Sequence, residues 1–296
     1  MRVFLTGANG WVGSAVARDL IAAGHSVIGL VRSSEKGEAL AAAGGTPLVG
    51  SLTDLDVLKQ GARDADGVIH TAFGLDFSKI AELGAEDVAA IETFADVFAG
   101  SDRPIFVTGG IGVSPSGALF TEDERPPIIP DFPRASEQTA FALAERGLHA
   151  CVVRLPRSVH GVGERHGFIP MLAARARTTG VSAYVGEGRN LWPSVHRLDA
   201  ARVYRLALER GDRGRAYHAV AESGVAYRDI AEAIGRQVGV PVRSLSPDEA
   251  AAHFGPLAVW VAGSGPASSE WTRTALGWAP AEVGLLADID RPDYHG

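Results

Sequence analysis

Cysteine and lysine are the scarce residues of this 296-residue chain, and each scarcity excludes something. The single cysteine, Cys151, rules out an intrachain disulfide, and its place inside the apolar run ACVVRL reads as a buried strand thiol rather than a nucleophile. Lysine stops early: Lys36, Lys59 and Lys79 are the whole set. Tyrosine starts late, with none before Tyr184. Apolar runs are strand-length, too short to span a bilayer, and no leader peptide is legible ahead of the first strand. Positive charge is also in deficit: 28 Lys and Arg against 35 Asp and Glu give a net charge of −7, which argues against a general nucleic-acid surface. The nine histidines form no HExxH or Cys/His cluster, so no metal site is expected. These exclusions predict a cytoplasmic protein with a small-molecule partner, no nucleic acid and no membrane.

What is present is an alternation. Strand-like runs MRVFLTG, HSVIGLV, TPLVG, DGVIHTA, RPIFVTG and HACVVRL are separated by segments of helical period, among them Trp11 to Gly24, Ile80 to Phe98, and PRASEQTAFALAERG from Pro133 to Gly147. Strands joined by crossover helices form a parallel sheet, here of six strands with right-handed crossovers. After Arg154 the rhythm changes to loops, short strands and mixed helices. The expected organisation is a nucleotide-binding α/β domain over 1–158, rejoined by about 192–222, with a smaller substrate lobe from 159–191 and 223–296.

The strongest motif is TGANGWVG, Thr6 to Gly13, at the first strand-to-helix turn. Gly7 permits a tight turn, Gly10 lets backbone approach a pyrophosphate, and Gly13 lets the helix pack closely on the sheet. The turn as a whole, Gly7, Asn9, Gly10, Trp11, Val12 and Gly13, is the expected phosphate cradle of a dinucleotide, which makes the fold a Rossmann-type doubly wound α/β sheet with a smaller C-terminal lobe. An acidic residue at the end of the second strand would bind the ribose 2′-hydroxyl of NAD; this chain has VRSSEK instead. Arg32, beside Ser33, suits a 2′-phosphate, so NADP(H) is expected over NAD(H). The plainer reading is a solvated arginine countered by Glu35.

TGANGWVG, GSLTD (Gly50 to Asp54), VIHTAF (Val68 to Phe73), VRLPRSVHGVG (Val153 to Gly163) and VHRLDAA (Val195 to Ala201) together resemble the short-chain dehydrogenase/reductase superfamily, in its extended or atypical NAD-dependent epimerase/dehydratase-like branch. The resemblance implies Ser51 and Leu52 at the adenine, Thr71, Ala72 and Phe73 along ribose and phosphates, and Pro156 near the nicotinamide. It also implies a tyrosine acid, a lysine four residues on, and a serine or threonine ending the fifth strand. The chain departs here. Aligned on YxxSK, the stretch PRASE puts Pro133 at the tyrosine and Glu137 at the lysine, and Gly110 stands where the serine would. With no Tyr before 184 and no Lys after 79, no YxxxK exists anywhere in the chain.

The replacement candidates are Glu137, which either reaches the ribose and reacting atoms or caps its helix, Thr108 as the nearest fifth-strand hydroxyl, and His160 in the RSVHGVG loop. His70 reads as a satisfied core histidine and His196 as a structural one. Arg154 and Arg157 can bind an acidic group or polarise a carbonyl but cannot donate the proton. Ser114, Arg157, His166, Phe168 and Trp192 are the candidate substrate-binding residues. The expected function is an NADP(H)-dependent oxidoreductase acting on a carbonyl-type small molecule with non-standard catalytic residues. The alternatives are an NADP-binding sensor without turnover and a redox-neutral isomerase or lyase. A homodimer through the Pro133 to Gly147 helix is implied by the resemblance.

Overall fold

Val3, Phe4 and Leu5 are fully buried on both faces of the first strand, as the interior of a parallel sheet requires. The computed structural model describes residues 1–74, 76–114, 116–126, 128 and 133–294, apart from the Phe77 side chain. In chain order the first half runs β1 (Arg2–Thr6), α1 (Trp11–Ala22), β2 (Ser26–Val31), α2 (Ser34–Ala42), β3 (Thr46–Val49), α3 (Leu55–Arg63), β4 (Gly67–His70), α4 (Ile80–Phe98), β5 (Ile105–Gly110), α5 (Ser136–Glu145) and β6 (Ala150–Leu155). The second half runs β7 (Ser158–His160), α6 (Phe168–Thr179), β8 (Ser182–Val185), β9 (Leu191–His196), α7 (Arg197–Arg210), β10 (Ala216–His218), β11 (Glu222–Ala226), α8 (Tyr227–Val238), β12 (Val242–Leu245), α9 (Pro247–Phe254), α10 (Ala258–Ala262), α11 (Glu270–Leu276) and α12 (Leu285–Ile289).

The main sheet is parallel throughout, in the order β10-β6-β5-β4-β1-β2-β3. It has seven strands, not the six expected. The seventh, β10, is three residues long, too short to stand out as an apolar run, and joins β6 through Ala216 opposite Val152. Strand order reverses between β1 and β4, which opens a crevice at the carboxyl ends where ligands of such sheets bind.

Each face of the sheet is covered by helices whose apolar stripes fall at helical spacing. On one face Val16 and Leu20 of α1 pack with Val203, Tyr204 and Ala207 of α7. On the other, Leu58 of α3, Phe94 and Phe98 of α4 and Leu143 of α5 meet Phe4, Ile105 and Val152. A separate core, with Ile169, Leu172, Trp192, Tyr227, Ile230 and Phe254, binds α6, α8, α9, β9 and the parallel pair β8–β12 into the smaller lobe. The β11-β9-β7 sheet runs between the two cores. Among the described residues no helix is long and apolar enough to cross a membrane.

Candidate functional site

The glycine turn is sterically obligatory. Gly7 has φ of 70°, and a Cβ there would lie 2.8 Å from Thr71 Oγ1 and 2.9 Å from the Ala72 nitrogen. A Cβ on Gly13 would overlap the Gly7 carbonyl oxygen. Thr71 donates its hydroxyl to the Thr6 carbonyl at 2.8 Å, so the segment after β4 is pinned against the turn. Gly10 is the N-cap of α1 and provides no side-chain cap, which leaves the N–H groups of Trp11, Val12 and Gly13 without intrahelical acceptors at the positive end of the helix dipole. The residues present therefore suit a pyrophosphate.

Other cofactor candidates are placed as follows. Asn9 is exposed, Val12 half-buried and Pro156 buried. The Trp11 indole donates to the Val159 carbonyl at 2.6 Å beneath the Arg197 guanidinium, so its side chain ties the turn to β7. Arg32 is exposed and makes no ion pair with Glu35 or any other described residue. Ser33 caps α2 by accepting from the Lys36 N–H. Ser51 donates its hydroxyl to Asp54 at 2.9 Å, and Leu52 packs partly buried beside the α3–α4 core.

The three catalytic candidates make no hydrogen bond to one another. Glu137 and Arg154 form a buried ion pair: Arg154 Nε donates to the two carboxylate oxygens at 3.0 and 3.1 Å and Nη2 to Oε1 at 2.5 Å. The helix-capping reading of Glu137 is thereby corrected, since the N-cap of α5 is Ala135 with no side-chain cap. Arg154 is likewise not free for substrate. Its Nη atoms also serve the Thr121 and Glu124 carbonyls and His218 Nε2, the last at 2.9 Å. Burial and the Arg154 charge push His218 down to about 3, so it is a neutral acceptor that donates Nδ1–H to Ser268. Gly109 makes room for the pair: a Cβ there would stand 2.8 Å from Glu137 Oε2.

Thr108 donates its hydroxyl to the His70 carbonyl at 2.7 Å and accepts from Tyr204 at 2.8 Å, with burial holding the Tyr204 phenol above its ordinary range. That hydroxyl points into the protein, against its expected catalytic use. His160 is fully buried with Nδ1 2.8 Å from Asp288 on α12 and its ring edge-on to His196. It stands where β7 meets α12, with Nδ1 engaged by Asp288.

Sequence reasoning took His70 for a satisfied core histidine but missed the buried network that satisfies it. Thr6 Oγ1 contacts His70 Nδ1 at 2.7 Å, His70 Nε2 contacts Asp87 at 3.0 Å, and Ser136 donates to Asp87 at 2.5 Å while accepting from Arg134 Nε at 2.8 Å. Burial raises the Asp87 carboxyl, but the His70 hydrogen bond and the charges of His70 and Arg134 outweigh it and hold the group below its usual range. Arg134 Nη2 donates to the Thr108 carbonyl at 2.8 Å, and its guanidinium lies 4.1 Å from the centre of the Phe73 ring. One signal was available: Asp87 lies on the stripe Gly84, Asp87, Ile91, Phe94 of α4, where a carboxylate demands a buried partner.

Among the substrate candidates, Trp192 is fully buried in the lobe core between Phe168, Tyr227 and Arg157, which makes it a packing residue rather than a crevice wall. Arg157 donates to the carbonyls of Trp260, Gly263 and Leu191, and burial lowers its pKa to about 10. Ser114 is buried and its N–H bonds Ser264, Phe168 is half-buried, and His166 is exposed.

Comparison with known proteins agrees with this geometry. Residues 7–165 match the NAD(P)H-binding family model. An uncharacterised protein of Schizosaccharomyces pombe is 46% identical over 99% of this chain and 100% of its own length. A 4-hydroxy-2-methyl-3-oxo-4-farnesyl-3,4-dihydroquinoline-1-oxide ketoreductase of Stigmatella aurantiaca is 29% identical over 98% of this chain and 90% of its own. The structure of the dTDP-glucose 4,6-dehydratase DesIV of Streptomyces venezuelae, with NAD and TYD bound, superposes with a TM-score of 0.77 at 21% identity, covering 99% of this chain and 95% of that one. The chain belongs to the NAD(P)H-binding family, whose model covers more than half of it. Its relatives and structural neighbours include oxidoreductases, epimerases and dehydratases.

Proposed function

We propose that the protein is an NADP(H)-dependent oxidoreductase acting on a carbonyl-type small molecule. The observation that carries the cofactor choice is Arg32, exposed at the end of β2 with no carboxylate on it, where an acidic residue would otherwise receive the 2′-hydroxyl. Gly7, Gly10 and Gly13, with the uncapped N-terminus of α1, hold the pyrophosphate; Thr71 to Phe73 and Pro156 flank the rest. Bound there, the nicotinamide supplies a hydride donor or acceptor. The ketoreductase relative supports a carbonyl substrate. A reducing, cytoplasmic setting accords with the Cys151 thiol, which burial pushes up to about 12.

A second reading, an NADP-binding sensor without turnover, is favoured by the internal commitment of Glu137, Thr108 and His160. Two measurements separate them. In a fluorescence titration, NADPH binds at least tenfold more tightly than NADH, and Arg32→Ala removes that preference, because a charge-assisted bond is worth about 1.5–3 kcal/mol. Equal affinity for NADH in the wild type refutes the NADP assignment. Oxidation of NADPH with a panel of ketones, enones and quinones then distinguishes enzyme from sensor: tight binding with no turnover on any of them favours the sensor.

A further inference from the structure

We propose that Arg134 is the substrate-binding residue of this crevice, and that the ligand it receives is a planar, conjugated oxyanion of the enolate or phenolate type. This deepens the oxidoreductase reading and rests on it for the location of the reacting face. Arg134 follows Pro133, the residue aligned with the family's tyrosine, and reaches back over the end of the sheet. Its guanidinium is fixed on three sides: Nη2 on the Thr108 carbonyl, Nε on Ser136, and the plane over Phe73. Phe73 lies next to Ala72, which packs against the cofactor turn at Gly7, so the guanidinium stands beside the segment that flanks the dinucleotide. Among the described residues Arg134 has no ion-pair partner and Nη1 has no hydrogen bond; the nearest carboxylate chemistry, Asp87, is reached only through Ser136. A guanidinium anchored through Nε and Nη2 with Nη1 unbonded can receive an oxyanion.

The class of ligand follows from where the protons go. Arginine keeps its own proton. Ser136 gives its hydroxyl hydrogen to Asp87, Thr108 gives its own to the His70 carbonyl, and Tyr204 therefore donates to Thr108. These three hydroxyls are committed to protein acceptors, so none of them protonates an oxygen placed on Nη1 and the oxygen is held as an anion. A localised alkoxide is too basic to persist under that condition, whereas an oxyanion spread over a conjugated system is stabilised by its own delocalisation. The Arg134 guanidinium over the Phe73 ring favours a conjugated ligand with a π face of its own.

The test uses the full-length protein, with and without NADP+, and two probes of the same shape: p-nitrophenolate, which carries the oxyanion, and nitrobenzene, which does not. Equilibrium dialysis is expected to show at least a tenfold preference for p-nitrophenolate. Arg134→Gln removes that preference, and Arg134→Lys, which keeps charge but not the fork, retains part of it. NADPH affinity, measured separately by fluorescence, stays within about threefold in both variants. Equal binding of the two probes by the wild type overturns the proposal, as does an Arg134→Gln protein that still prefers the anion or an Arg134→Lys protein whose only defect is lost NADPH binding. If NADPH fails to bind the wild type while the anion preference stands, the oxidoreductase reading fails and the oxyanion site survives it.

Discussion

Removing the Glu137 carboxylate tests whether this helix position does chemistry or holds the fold. Glu137→Ala leaves the Arg154 guanidinium 3% exposed, with only carbonyls and the neutral His218 ring for company. Three N–H contacts to the carboxylate disappear at once. Stranding a buried charge costs about 3–5 kcal/mol. With a urea slope near 3 kcal/mol per molar, the unfolding midpoint falls by roughly 1–1.7 M. Glu137→Gln keeps one acceptor and loses about half as much. Replacing both partners, Glu137→Leu with Arg154→Leu, removes the stranded charge, and the cycle shows a coupling of about 2 kcal/mol or more. The assay is urea denaturation followed by circular dichroism. A loss under about 1 kcal/mol for Glu137→Ala, together with a large fall in NADPH turnover, would refute the structural role and return the carboxylate to the list of catalytic groups.

Gly13→Ala forces a methyl onto the Gly7 carbonyl, so α1 must shift; the expected cost is about 1–3 kcal/mol of stability and at least a tenfold loss of NADPH affinity by fluorescence titration. His218 falls from an ordinary 6.5 to about 3, so its ring is neutral in both states above pH 6.5, and below that the unfolded chain takes up the proton first. Stability is therefore lost as pH drops from 6.5 towards 3, by about 2–3 kcal/mol at pH 4.5, and urea midpoints of His218→Gln fall less steeply over that window than those of the wild type.

Six of the seven strands in the main sheet were legible as short apolar stretches; the clearest, VFL in β1, VIGLV in β2 and ACVV in β6, belong to strands largely buried on both faces, whereas the edge strand β3 is only partly buried. Strand β10 escaped notice because three residues make no pattern, and only its pairing with β6 makes it a strand. The glycine turn was legible for a related reason: its geometry is local, and Gly7 and Gly13 each answer a clash within the first 72 residues. The polar interior was not. Ser136 meets Asp87 across 49 positions of sequence and Thr108 meets Tyr204 across 96, contacts that exist only once α4, α5 and α7 are packed on the sheet. Periodicity can flag Asp87 as a misplaced carboxylate on an apolar stripe, but it cannot name the partner.

Glu137 at the lysine position is not a simple loss. A carboxylate there needs the Arg154 cation on β6, the cation needs His218 neutral, and the pair needs Gly109 on β5 to stay without a side chain. Each condition sits on a different element, and failing any one strands a buried charge or crowds the sheet. Placing a lysine back at 137 would set two cations against each other in a buried space, so a tyrosine at 133 would gain no functioning partner from that single change. Arg134, two residues before α5 begins, is a second cation that sits outside the Glu137–Arg154 pair on a separate set of anchors. On the proposed reading, binding at this site rests on a fixed charge rather than a titrating phenol.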